Sequence, residues 1–232
     1  MVQRLVQQLL PLSEVSQVLV TLNIPEALVF PADKRIQVIK NESPKGFAAN
    51  HNATFSICSQ PFFCPLNPDI ELIGNPFPAL LAVLSDEQVG MVAPRVDSSS
   101  GEHEDSWRRF PTLGLLLLKL FGGGDGRYAL PLDGKLFFPE WVAGMFMLFR
   151  SEVFRSLQGF DEGYFLYYED VDICVRLWRM KKRITACPTV AVIHDARRDS
   201  HHKWRHLRWH IGSMVRYFSK YWLRLPRSPR NC

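Results

Sequence analysis

The sequence predicts an α/β fold: a mostly parallel sheet flanked by helices, followed by a basic amphipathic helix at the C-terminus. Three observations carry that expectation. Helix-period and strand-period stretches alternate along the first hundred residues. Strand candidates such as Val15 to Leu22 read as buried apolar runs. A chain of 232 residues, 47% of them apolar, suffices for one good core and not for two large ones. The expected organisation is a single domain over residues 1–200, interrupted by a flexible insertion or lid over 97–139, and a basic helical segment over 201–232.

The elements follow in order. Val2, Leu5, Val6, Leu9 and Leu10 stand at helical spacing and Pro11 ends the run, giving a short amphipathic helix. Val15 to Leu22 is a strand broken by Asn23-Ile24-Pro25-Glu26. Arg35 to Ile39 is a second, closed by the turn-rich Asn41-Glu42-Ser43-Pro44-Lys45-Gly46. Ala48, Ala49 and Ala53 then begin a helix small enough on one side to lie close to a sheet. Pro61 to Leu66 reads as a central strand cut off by Asn67-Pro68-Asp69. Because Pro68 holds Asn67 extended, Asp69 is expected at the strand's C-terminal edge, where open α/β sheets bind ligands. Phe77 to Leu84 predicts a helix and Val89 to Val96 a strand.

From Asp97 to Pro139 the periodicity dissolves between Ser98-Ser99-Ser100-Gly101 and Gly122-Gly123-Gly124-Asp125-Gly126, and a long irregular insertion in a compact domain points to a functional loop. Trp141 to Arg150 predicts one buried strand in which Gly144 permits close backbone approach, and Ser151 is placed to cap a helix over Glu152 to Leu157. After an acidic stretch comes a helix to about Met180. A strand follows from Ile184 to Ile193, assigned near an edge because it contains Pro188, and His194 follows directly. Lys203 to Leu225 spaces Leu207, Ile211, Met214, Val215, Phe218 and Trp222 along a helix rich in arginine, lysine and histidine. Such a helix either docks on the domain with its charges in water or lies on an anionic membrane surface.

Composition narrows the function classes. The net charge of +5 comes from 28 basic and 23 acidic residues, with most of the excess in residues 197–230. No nucleic acid is expected as partner, because no RNA-binding, helix-turn-helix or zinc motif accompanies that charge. The five cysteines lack CxxC spacing, which argues against a disulfide framework or a zinc site and fits a reducing cytoplasm. The N-terminus does not read as a signal peptide, and Leu113 to Phe121, which contains Lys119, is far below the ~20 residues needed to cross a bilayer.

Chemistry concentrates in Gly159-Phe160-Asp161-Glu162-Gly163-Tyr164-Phe165-Leu166-Tyr167-Tyr168-Glu169-Asp170-Val171-Asp172. So many carboxylates among apolar and aromatic side chains are costly unless a proton, a cation or a substrate hydroxyl compensates them. An acidic first helical turn accounts for part of this, and Asp172 is spaced to pair with Arg176. Asp161 and Glu162 fit a structural turn and substrate rim. Trp141 offers packing or an aromatic face for a sugar.

Three pieces occur in one order: Gly46-Phe47-Ala48-Ala49-Asn50-His51-Asn52, then Leu66-Asn67-Pro68-Asp69, then Trp141-Val142-Ala143-Gly144 leading to Gly159-Phe160-Asp161-Glu162 and Tyr168-Glu169-Asp170-Val171-Asp172. Together they resemble the inverting family-two glycosyltransferases of GT-A fold, and among them the bacterial rhamnosyltransferase-like members, over roughly residues 15–200. The resemblance implies transfer of a sugar, such as rhamnose, from a dTDP- or UDP-sugar donor to a glycan or lipid-linked acceptor in cell-surface polysaccharide synthesis. It also implies Mg²⁺ or Mn²⁺; the cysteine pattern points to a cytoplasmic protein, and the C-terminal helix, in its membrane reading, to peripheral contact with the inner membrane face. By matching position Asp170 resembles the catalytic base and Glu169 the acid beside it. Asp69 resembles the metal-binding acid of the Asp-x-Asp motif, with Asn67 in the place of its first Asp, and His194 resembles a histidine that completes the metal shell. Asn23, Asn41, Gly46, Asn52, Asn67, Trp141, Gly144 and Asp161 are the candidate substrate-binding residues. Relatives open on a buried strand before the first helix, and this chain opens on the helix. Thr21-Leu22-Asn23 stands where relatives usually have Val-Asp-Asn. Both departures imply weakened donor binding, and the alternative they raise is a non-catalytic sugar-nucleotide or glycan-binding relic.

Overall fold

The computed structural model describes residues 1–124, 126–131, 133–194, 203–222 and 224–226. The expected boundary at 200/201 lies outside the described residues.

The chain opens on α1 (Val2–Leu9), whose Leu5, Val6 and Leu9 are buried. β1 (Val18–Leu22) and β2 (Ile36–Lys40) then pair in parallel as a two-stranded sheet. Next come α2 (Phe47–Ser56), β3 (Phe62–Phe63), β4 (Ile70–Leu72), α3 (Phe77–Val83) and β5 (Val89–Asp97). The insertion holds β6 (Trp107–Arg108) and α4 (Leu113–Leu120). β7 (Trp141–Val142) pairs with β6, and β8 (Leu148–Arg150) leads into α5 (Ser151–Ser156). α6 (Glu169–Arg179), β9 (Arg183–His194) and α7 (Lys203–Tyr221) complete the order.

The main sheet has the order β3-β8-β5-β9-β4. The α/β expectation holds, with mixed pairing: β5 and β9 are parallel, whereas β3·β8, β5·β8 and β4·β9 are antiparallel. Successive residues of a strand face opposite sides, and the core divides accordingly. Met91, Ala93 and Phe149 join α5 and α6 in one apolar cluster, while Val92 and Leu148 join α1 and α3 in the other. A sheet between two helical layers results.

Three local expectations change, and one holds with an added detail. Pro61 to Leu66 is not a central strand. β3 keeps two residues at the sheet edge, since Pro61 and Pro65 can donate no ladder hydrogen bond. Trp141 to Arg150 is two strands, because the chain turns between Val142 and Leu148 and sends the Gly144 N–H to a side chain. β9 lies beside the edge strand β4, near an edge as Pro188 predicted. Its register with β5 jumps from Pro94↔Cys187 to Arg95↔Ala191, and the bulge carries the proline where no ladder donor is required. Ser151 does not cap α5: its hydroxyl donates to the Gln60 carbonyl at 2.7 Å, and Arg150 holds the cap position.

A cavity of about 580 Å³ separates β1 from β3, lined by both strands and by side chains of α1 and α2. Leu22, in the place where relatives usually carry Asp, is buried in the core cluster beside it. The insertion is anchored to the core by Trp107 and Phe110, both buried.

Candidate active site

Two consecutive left-handed residues deliver the acidic pair. Tyr167 and Tyr168 have φ of 72° and 69°, a conformation that costs about 1–3 kcal/mol at each non-glycine residue. The chain thereby turns abruptly into α6, and Glu169 and Asp170 occupy its first turn. Asp170 is well supplied with donors. Gly144 N–H donates to Oδ2 at 3.0 Å and Val171 N–H to Oδ1 at 2.8 Å. A Cβ on Gly144 would lie 3.5 Å from the Asp170 Cβ and 3.3 Å from the Phe47 ring, so the residue lets the strand end come close.

Glu169 is buried, and its Oε2 has no hydrogen-bond partner among the described residues. Burial raises the pKa of both carboxyls. Glu169 is pushed up to about 8, first by desolvation and then by the Asp170 charge. Asp170 is raised by desolvation, against which the Gly144 and Val171 N–H groups and the Arg108 charge act. Both carboxyls therefore hold a proton more tightly than free ones do, and the Gly144 and Val171 N–H groups favour the ionised form of Asp170.

The loop before the pair is clamped from both sides. Asn52 uses its whole amide on it: Nδ2 donates to the Phe160 carbonyl and Phe160 N–H donates to Oδ1, each at 2.9 Å. Gly46 lies where the loop crosses α2, so that a Cβ would sit 2.4 Å from the Phe165 carbonyl oxygen. From α7, Ser213 donates to the Leu166 carbonyl at 2.9 Å, the Tyr167 hydroxyl lies 2.9 Å from His206 Nδ1, and Trp209 stacks on Phe165. Asp161 pairs with Arg216 at 2.9 Å and Lys220 at 2.8 Å. Burial works to raise its pKa, but Lys220, the Gly163 N–H and Arg216 outweigh it and hold the carboxyl down at about 2. Asp172 is fully buried and accepts from Arg176 at 2.7 Å, as its spacing predicted, and from Lys220 at 2.5 Å and Tyr221 at 2.6 Å.

Asp69 and His194 meet because β4 and β9 align Ile70 with His194. His194 Nε2 is 3.3 Å from Asp69 Oδ2, and the other carboxylate oxygen is buried without a partner among the described residues. Desolvation opposes ionisation of Asp69, yet the His194 hydrogen bond and charge lower its pKa overall. An oxygen left over and an imidazole beside it suit a divalent cation. No group of three or more acidic, histidine or cysteine ligands forms among the described residues, so two protein ligands fit a cation completed by phosphate oxygens and water. Asn67 ties this corner to the acid pair: its N–H donates to the Met145 carbonyl at 3.0 Å, one residue from Gly144.

Asn23 and Asn41 also come together. Asn41 donates to Asn23 Oδ1 at 2.9 Å and Asn50 Oδ1 at 2.7 Å, and the Lys45 N–H donates to Asn23 at 2.8 Å. Asn23, Asn50 and Asn67 form the polar end of the 580 Å³ cavity, which contains none of Asp69, Glu169, Asp170 and His194. The cavity, whose lining also includes Glu14, Glu26 and His51, and the acid pair thus lie apart. Trp141 donates its indole N–H to the Arg109 carbonyl at 2.8 Å, and Arg108 stands 5.9 Å from its ring centre. Sequence reasoning missed Arg108 and Asn50. The Arg108 charge reaches Asp170 from a distant part of the chain, and an arginine in an aperiodic insertion carries no local signal; Asn50 accepts from Asn41, which the sequence did not pair with it.

The glycosyl transferase family 2 pattern matches residues 21–157. Rhamnosyltransferase WbbL of Escherichia coli strain K12 is 34% identical over 127 residues, covering 53% of this chain and 48% of that protein. Pre-mycofactocin glycosyltransferase of Mycobacterium tuberculosis is 30% identical over 162 residues, covering 70% of this chain and 33% of that protein. The chain thus spans half or less of these relatives. Among solved structures, GalNAc-T7 with UDP, GalNAc and Mn²⁺ superposes with a TM-score of 0.61 at 15% identity over 80% of this chain and 38% of that one. The Pyrobaculum calidifontis mannosyltransferase PcManGT with GDP-Man and Mn²⁺ gives 0.53 at 17% identity over 84% and 48%. The fold they share with this chain is GT-A.

Proposed function

The chain belongs to glycosyl transferase family 2, and we propose that it transfers a sugar, rhamnose being the first to test, from a nucleoside diphosphate donor to a hydroxyl of a glycan or lipid-linked acceptor, with inversion. Rhamnosyltransferases among the similar proteins support the choice of sugar. The observation that carries the reaction is the asymmetry of the acid pair: Asp170 accepts from the Gly144 and Val171 N–H groups, whereas Glu169 is buried with an oxygen that no donor among the described residues reaches.

Asp170 takes the acceptor proton as the acceptor oxygen attacks the anomeric carbon. The bond from that carbon to the diphosphate oxygen breaks on the opposite face, which inverts the centre. Glu169 keeps its proton and so adds no second charge beside the base. Asp69 and His194 Nε2 would hold Mg²⁺ or Mn²⁺. When bound, that ion offsets negative charge on the leaving diphosphate. Asn23, Asn41 and Asn67 supply amide groups toward the donor, whereas Asn52 and Asp161 hold the loop. We place the reaction at the cytoplasmic face of a membrane. No helix among the described residues is long and apolar enough to cross one.

The test is Asp170→Asn, assayed with dTDP-rhamnose and a panel of UDP-sugars. Turnover should fall by about 10²–10⁴-fold, the range for a lost general base, with unchanged melting temperature. Turnover within a few-fold of the parent would remove Asp170 from the mechanism.

A further inference from the structure

Two helices distant in sequence share one apolar face that no other described residue covers. On α7, Trp204, Leu207, Ile211, Val215 and Trp222 are exposed, Trp204 by 81%. Their three- and four-residue steps, with the last two a double step apart, put them in one stripe. The opposite side of the same helix is used up, since Ser213, Tyr217 and Tyr221 are buried against the acid loop and α6. α4 adds Leu113, Leu117, Leu118 and Phe121, the last 87% exposed. The two helices are neighbours: Leu113 shares a shallow hollow with Val215, Phe218 and Trp222, and the Lys119 charge reaches His210. Five such side chains on α7 and four on α4 make an apolar surface of the kind that marks an interaction site.

Charge identifies the occupant. Across both helices there are Lys119, Lys203, Arg205, Arg208, Arg216 and Lys220, and no aspartate or glutamate. Arg216 and Lys220 turn inward to Asp161 and Asp172. Arg205 and Arg208 are exposed and stand beside the stripe on the helical wheel. A second copy of the chain would set these arginines against their own kind, a repulsion that disfavours self-pairing.

We propose that the α4–α7 face docks on the surface of an anionic lipid bilayer, its aromatic and leucine side chains entering the interface and its basic residues meeting phosphate-bearing headgroups. This deepens the transferase reading by making the acceptor lipid-borne, and rests on that reading for the acceptor alone. The surface bound to lipid is then the back of the helix whose front clamps the loop carrying Asp170, about one helix diameter, ~10 Å, away.

The experiment is flotation of the full chain with vesicles of phosphatidylcholine alone and of phosphatidylcholine with phosphatidylglycerol, with dTDP and UDP binding measured by calorimetry on the same preparations. The protein should float with the anionic vesicles and less so as salt rises. Arg205→Gln with Arg208→Gln should lower partition by about fivefold per arginine. Phe121→Ser with Trp204→Ser should lower it by at least tenfold while leaving nucleotide binding and melting temperature unchanged, since both side chains are exposed. Failure to float with anionic vesicles, or flotation indifferent to both double variants, overturns the proposal. So does a dimer in sedimentation velocity that Phe121→Ser with Trp204→Ser disperses, which would assign the face to a second copy. Flotation without nucleotide binding upholds the membrane surface and counts only against the transferase reading.

Discussion

Gly144 N–H donates to Asp170 Oδ2 at 3.0 Å across 26 residues of chain, while Glu169, adjacent to Asp170 in sequence, is buried with an oxygen that no donor among the described residues reaches. Two neighbouring carboxyls therefore meet opposite surroundings, and the proposed division of labour between base and proton holder rests on that contrast.

The first prediction separates them. Glu169→Gln, which mimics the protonated acid, should keep kcat within about tenfold of the parent, against the 10²-fold or greater loss for a missing base. Because desolvation raises the Asp170 pKa above 3.8, activity should fall with decreasing pH on a limb lying above that value. A kcat/KM profile of both proteins checks the two statements together.

Stability should respond to pH in the opposite sense. Glu169 binds its proton more tightly when folded, with a pKa near 8 against 4.5. Its contribution is complete below pH 4.5 and is lost as pH rises through about 8. Glu169→Gln keeps the neutral form throughout, so at pH 9 it should exceed the parent in stability by roughly a few kcal/mol. Urea unfolding of the two proteins at pH 6 and pH 9 reads the difference.

Gly46→Ala would push a methyl group to 2.4 Å from the Phe165 carbonyl oxygen. Backbone must move, and the loop that moves leads to the acid pair. We expect a loss of about 1–3 kcal/mol, the usual cost of overpacking, and a fall in kcat larger than any change in donor affinity. Equal kcat in parent and variant would show that the loop position does not govern the base.

Asp172 joins α6 to α7 through Arg176, Lys220 and Tyr221. Asp172→Ala takes the carboxylate partner from Arg176 and leaves Lys220 with Asp161 alone, a change that costs about 3–5 kcal/mol. Asp161 acts at the same junction: its lowered pKa supplies stability that is present above 3.8 and lost as pH falls through about 2. Acid unfolding of Asp161→Asn should accordingly lack that part of the transition.

Asp69→Asn and His194→Gln test the cation corner. Each should weaken Mn²⁺-dependent nucleotide binding by about 10–100-fold, the usual consequence of altering a metal's close surroundings, and leave metal-free binding unchanged. Calorimetry with UDP and dTDP, with and without Mn²⁺, reads both.

Much of the fold was legible because it rests on local rules. Helical spacing in Val2 to Leu9 and in α6, the apolar run of β1 and the stop after Leu22 each need only a few neighbours. The meeting of Asp172 with Arg176 was legible for the same reason, being four residues along one helix. Proline was read rightly once and missed once: Pro188 marks a strand next to the sheet edge, where a bulge accommodates it, whereas the effect of Pro61 and Pro65 in shortening β3 to two residues went unread.

By itself the sequence determined the α/β class, helices and strands such as α1, β1, β5 and α6, and a short list of acids worth attention, because periodicity and residue type act over one or two turns. Tertiary structure alone decided which of those acids meet a donor and which do not. It gave Asn52 and Asp161 to the loop, aligned Asp69 with His194 across two strands, and turned one face of α7 inward while leaving the other bare. The reason is physical: desolvation and hydrogen bonding depend on what the rest of the chain brings alongside, and for Asp170 that neighbour is a glycine 26 residues away.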